Sequence, residues 1–158
     1  MRWHCVPRPS TRRSDRRGAS AIESAFALPV FLLIVLGALD LGLAVFRQHQ
    51  VTATAHFIAR KAIVHGSRAS KLGVWGPATR IGNAADGSEI GNLITSFMPG
   101  PQASQITYEV AWPDGGNEPR DNHRLRVRIA VNHQPIVTSI FGVAPMTLRS
   151  GVTTPIAH

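Results

Sequence analysis

Residues 16–47 read RRGASAIESAFALPVFLLIVLGALDLGLAVFR: two arginines, a small-residue step, a glutamate, then a long apolar run. Residues 24–39 contain no charge. As a helix they rise about 24 Å, short of the ~30 Å hydrocarbon layer of a bilayer. Extended to residues 19–46 the helix rises about 42 Å, which is ample. That span holds two acids, Glu23 and Asp40, one near each end. The stretch predicts one membrane-crossing helix with its acids near the interfaces. A buried helix of a soluble domain keeps a polar face, and residues 25–39 have none. A cleaved secretory signal ends its apolar stretch at ~7–15 residues. Here the apolar pattern continues through Leu41, Leu43, Val45 and Phe46, as in an anchor.

Charge gives the orientation. The chain carries a formal +8, with 17 basic and 9 acidic residues among 158. Six basic residues (Arg2, Arg8, Arg12, Arg13, Arg16 and Arg17) and one acid, Asp15, precede Gly18, so residues 19–158 hold 11 basic and 8 acidic residues. The high pI therefore belongs largely to a basic leader, residues 1–18, and predicts no nucleic-acid surface. Arginines that flank a span stay cytoplasmic. The N-terminus is thus expected inside the cell and residues 47–158 outside. Cys5, the single cysteine, lies in the leader, so no intrachain disulfide supports the exported part.

The chemistry changes at Gly18-Ala19, a small-residue step behind Arg16-Arg17, with Glu23 five positions beyond Gly18. A carboxylate drawn to the bilayer centre costs ~2.5–3.5 kcal/mol. Glu23 either snorkels to the interface or meets a cation, for which a newly exposed amine at Ala19, or a neighbouring subunit's, is a suitable partner. Pro29 lies inside the span and removes one helical hydrogen bond, which membrane helices absorb. Ala38 and Gly42 make a small-xxx-small step where a second helix can approach closely.

Gly18-Ala19-Ser20-Ala21-Ile22-Glu23, then Ala27-Leu28-Pro29, the aliphatic run and Gly37-Ala38-Leu39-Asp40-Leu41-Gly42, resemble the TadE-like family of pilus-assembly proteins, the minor pseudopilins of tight-adherence (Flp) systems. The resemblance covers residues 16–66. It implies that an inner-membrane prepilin peptidase cuts the leader after Gly18 and leaves Glu23 at the fifth mature position. Ser24 stands where the family usually has a large apolar residue. The implied partners are the bilayer, other pilin or pseudopilin subunits, the inner-membrane assembly platform and the peptidase. A second reading is an uncleaved single-pass envelope protein with a structural or binding domain. A third is a secreted module with residues 1–40 as a removable signal.

Residues 47–65 keep a helical repeat, with Val51, Thr54, Ala55, Ile58 and Ala62 at steps of three and four, up to Gly66. His49, His56 and His65 lack the one-turn spacing of a helical zinc pair, so no metal site is expected. Residues 66–87, rich in glycine, read as a long connection anchored by Trp75. Ser88 is placed to cap a short helix over 88–98. Alternating apolar residues predict strands at 105–112 and 124–132, paired antiparallel, with Tyr108 inward and Arg124, Arg126 and Arg128 on a solvated face opposite acids. Residues 135–141 read equally as a short helix or a loop, and 146–153 as a third strand. The expected fold is α+β and pilin-like, one long helix packed on a small antiparallel sheet. No nucleophile, acid cluster or phosphate loop converges, so neither catalysis nor a cofactor is expected.

Overall fold

A computed structural model describes residues 15–67, 73–118, 123–137, 142 and 144–156. The order of elements is α1 (Asp15–Val64), β1 (Arg80–Asn83), α2 (Glu89–Phe97), a single 3-10 turn at Ala103–Gln105, β2 (Ile106–Ala111), β3 (Arg124–His133) and β4 (Met146–Pro155). The four strands form one antiparallel sheet in the order β1-β2-β3-β4. The fold is α+β, with a long apolar N-terminal helix and a small antiparallel sheet.

The chain divides into two compact units, Met1–Ala38 and Leu39–His158. The described part of the first is the N-terminal portion of α1, which includes Pro29 and continues through it. Its large apolar side chains, among them Phe26, Phe31, Leu33 and Ile34, are exposed. A long helix that shows such residues on all sides needs an apolar solvent rather than a core. Ser24, the one hydroxyl in the middle of this stretch, donates to the Ser20 carbonyl at 2.9 Å. Its polar group is thereby satisfied within the helix.

The second unit is built on alternation. Leu125, Val127, Ile129, Val131 and His133 of β3 are buried, while Arg124 and Arg128 are exposed and Arg126 half-buried. Ile106, Tyr108 and Val110 of β2 join the same core face. Over this face lie Val51, Ala55, Ile58, Ala59 and Ala62 of α1 and Ile90 and Ile94 of α2, forming one apolar core. The buried residues of α1 recur every three or four positions, as a helix requires of a face laid against a sheet. Glu109 pairs in register with Arg128 and lies 3.4 Å from it. Asp114 holds Arg124 at 3.1 Å, and that guanidinium keeps the Asp114 carboxyl below the usual range.

Ser88 caps α2 by accepting from the Gly91 N–H at 3.0 Å. Its hydroxyl lies 2.9 Å from the Tyr108 hydroxyl, which donates to Asp86 at 2.8 Å. Hydrogen bonds from Ser88 and then Tyr108 hold the Asp86 carboxyl low, while burial pushes the Tyr108 hydroxyl up.

The connection read over 66–87 requires one correction, because it contains β1. Arg80–Asn83 pairs with β2, Gly82 opposite Tyr108. Arg-Ile-Gly-Asn has no strand-like alternation of its own, and its one large apolar residue, Ile81, faces solvent. The strand exists because β2 supplies a partner edge. Gly82 is needed there, since a Cβ would collide with the Asp86 carboxylate and the Tyr108 hydroxyl. Trp75 is buried, stacked on His65 with ring centroids 4.4 Å apart. In the segment left open over 135–141, Ile136 and Val137 have helical geometry; residues 138–141 lie outside the described ones.

Candidate functional site

The residues singled out for processing and packing lie on α1. Gly18 and Glu23 are exposed, and no atom would meet a Cβ placed on Gly18. The described helix α1 includes Asp15 to Val64, so the Gly18–Ala19 bond is inside it. Ala38 and Gly42 are exposed, and space is open around Gly42. They are one helical turn apart and share a face. His49 and His56 are exposed, whereas His65 is buried. Among the described residues, no group of three His, Cys, Asp or Glu side chains is arranged to hold a metal.

Sequence reading places Asp40 near a membrane interface but does not find its partners. Asp40 is only 8 % exposed, although it sits in an apolar run. Its carboxylate accepts from the Ile136 N–H at 3.0 Å through Oδ1 and from the Val137 N–H at 2.6 Å through Oδ2. Pro135 has no N–H, so these are the first donors of the helical residues that follow β3. A helix start offers unpaired N–H groups that favour an anionic acceptor. Here that acceptor comes from a residue 96 positions earlier.

Two turns along α1, an Arg47 guanidinium nitrogen lies 2.6 Å from Nδ1 of His133. Arginine can only donate, so Nδ1 accepts and the imidazole proton sits on Nε2. That nitrogen is buried and meets no partner among the described residues. Burial first, and the Arg47 charge second, push the His133 pKa below its ordinary value; Asp40 opposes them. Gln48 adds a bond from its amide to the Arg149 carbonyl of β4 at 3.0 Å. Asp40, Arg47 and Gln48 therefore tie α1 to the end of β3, the start of the next segment and β4. Packing of the head on α1 begins at Asp40, within the stretch 19–46 read as membrane-spanning. No local pattern announces it, because each partner is about 90 residues away in sequence.

The outer face of the sheet carries an open depression lined by Ile81, Glu109, Arg128, Asn132 and Arg149, among others. Glu109 and Arg128 pair with each other across it.

Among the described residues, these features define a class: a chain with a small α+β unit and one exposed apolar helix that is, by length and composition, long enough to cross a membrane. The N-terminal segment is similar to one known family: the family model described as TadE-like protein matches residues 18–60. The match spans Gly18, Glu23, Ala38, Asp40, Gly42 and Arg47. No curated protein and no solved structure matches the chain.

Proposed function

We propose that this chain is a membrane-anchored TadE-like pseudopilin that takes part in assembling a tight-adherence (Flp/type IVb) pilus or a related secretion apparatus. One observation carries the reading. The TadE-like match over 18–60 coincides with the exposed apolar helix and runs into the part of α1 that the head covers. An apolar helix exposed on every side suits contact with lipid and then with other helices.

In this reading the arginine-rich leader stays in the cytoplasm, α1 crosses the inner membrane and the head is exported. A prepilin peptidase removes residues 1–18. Glu23 then lies near the new Ala19 amine, its own or a neighbour's, and offsets that charge at the membrane surface. Ala38 and Gly42 present a smooth step to a pilin or pseudopilin helix, and the head meets the assembly platform. The protein works through contacts rather than chemistry and needs no cofactor.

The intact mass of the native protein tests this. A chain beginning at Ala19, with processing lost in Gly18→Leu, is the expected result. A mature chain beginning at Met1 would replace the proposal with an uncleaved single-pass envelope protein.

A further inference from the structure

We infer that the rim of the head around Ile136 and Met146 is seated in the lipid headgroup layer, so that the exported domain is docked on the membrane surface as well as tethered to it. The inference rests on the membrane-anchor reading and adds an interaction surface to it.

Exposed apolar residues in the Leu39–His158 unit are unevenly placed. Among the described residues, Leu41, Val45 and Phe46 of α1 are more than half exposed, and so is Ile136, while Met146 is 46 % exposed. Hydrogen bonds bring these residues to one end of the unit. The Ile136 N–H is held by Asp40, which fixes Ile136 at the level of Leu41. Met146 pairs in register with His133, whose imidazole meets Arg47, which fixes Met146 at the level of Val45 and Phe46. Leu39 and Leu43 of α1 are exposed beside them; the other large exposed apolar residues described in the unit are Val64, at the C-terminal end of α1, and Val74, Ile81 and Phe97, away from α1.

The occupant follows from continuity with the anchor. About 20 helical residues cross the hydrocarbon layer, so a span that starts near Ala19 leaves it near Leu39. The next seven residues, 40–46, rise about 10 Å, enough to cross the roughly 5–8 Å headgroup region on one side of a bilayer and reach its outer edge. One face of this stretch, at Asp40 and Arg47, is covered by the head; the other, at Leu41, Val45 and Phe46, is apolar and exposed. Ile136 and Met146 lie beside α1 at the level of those three side chains, which would bring them to the same depth. Both charged side chains of this stretch face the head rather than the lipid: Asp40 is satisfied by two backbone donors and Arg47 by His133. The rim can therefore enter the interface with both charged groups hydrogen-bonded rather than bare.

Full-length protein with Cys5→Ser and one cysteine placed at residue 31, 81, 136 or 146 tests this. Each variant is labelled with the environment-sensitive dye NBD and reconstituted in vesicles of phosphatidylcholine and phosphatidylglycerol, with and without a doxyl-labelled lipid. Unchanged Trp75 and Trp112 emission verifies the fold of each variant. The expected result is blue-shifted, doxyl-quenched emission at 31, 136 and 146, and unquenched, water-like emission at 81. Quenching at 31 with water-like emission at 136 and 146 would overturn the docked rim and leave the anchor standing. Blue-shifted but unquenched emission at 136 and 146 would show a second copy or another protein covering the rim, and would also overturn it. Absence of quenching at 31 would sink the anchor reading and the inference with it.

Discussion

Replacing Asp40 with alanine removes the acceptor shared by the Ile136 and Val137 amides. Asp40 is buried, so water cannot readily take its place. A hydrogen bond to a charged group contributes about 1.5–3 kcal/mol, and an orphaned buried donor costs about 1–3 kcal/mol. With two bonds lost, the head should lose about 3 kcal/mol or more, roughly a hundredfold in its folded-to-unfolded ratio. For a unit of this size that lowers the thermal midpoint by about 10 °C. Asp40→Asn keeps one acceptor and turns a donor toward the other amide, so it should fall between alanine and the native residue. Trp75 and Trp112 are both buried in the head. Their emission reports its unfolding in detergent or vesicles, and hydrogen exchange at the Ile136 and Val137 amides reports the bonds themselves. If Asp40→Ala leaves the midpoint within about 2 °C of the native protein and those two amides stay protected, the clamp does not hold the head on α1.

Acid should loosen the same junction. The His133 pKa is lowered from its ordinary 6.5, chiefly by burial and then by Arg47. The unfolded chain therefore takes up this proton at a higher pH than the folded one. The stability this group contributes is complete above about pH 6.5 and is lost as pH falls from there through the lower folded pKa. Urea midpoints of the head from pH 8 to 5.5 should show the decline, and His133→Gln, whose amide oxygen can still accept from Arg47, should flatten it. Ala38→Leu and Gly42→Leu place bulk where the single subunit offers open space at Gly42 and an exposed face at Ala38. The head's unfolding midpoint should be unchanged while pilus output falls; normal output from both would remove the proposed packing step. Glu23→Ala should insert into the membrane as the native protein does but assemble poorly, as read by pilus yield against membrane-fraction yield.

The parts legible in the sequence are those whose cause is local. The apolar run dictates a helix with no polar face. The cap at Ser88 marks the start of α2, and the alternation around Tyr108 and Val127 marks β2 and β3. Arg128 faces Glu109 because a two-residue period leaves every second side chain outside. What was not legible is set by contacts far apart in the chain. β1 has no signal of its own and is a strand only because β2 pairs with it. Asp40 reads as an acid at a membrane exit, since nothing around it names Ile136 and Val137 as its donors. His133 continues the inward alternation of β3 and so reads as one more core position, although its Nδ1 meets Arg47, 86 residues earlier.

The account depends on α1 crossing the bilayer with the head outside the cell. Protease added to intact spheroplasts, followed by detection of both chain ends, tests this most directly. The account predicts that the C-terminal epitope disappears while a membrane-protected N-terminal fragment containing the apolar run survives. Survival of the full-length chain under conditions that digest a periplasmic control, or complete digestion with no protected fragment, would contradict it.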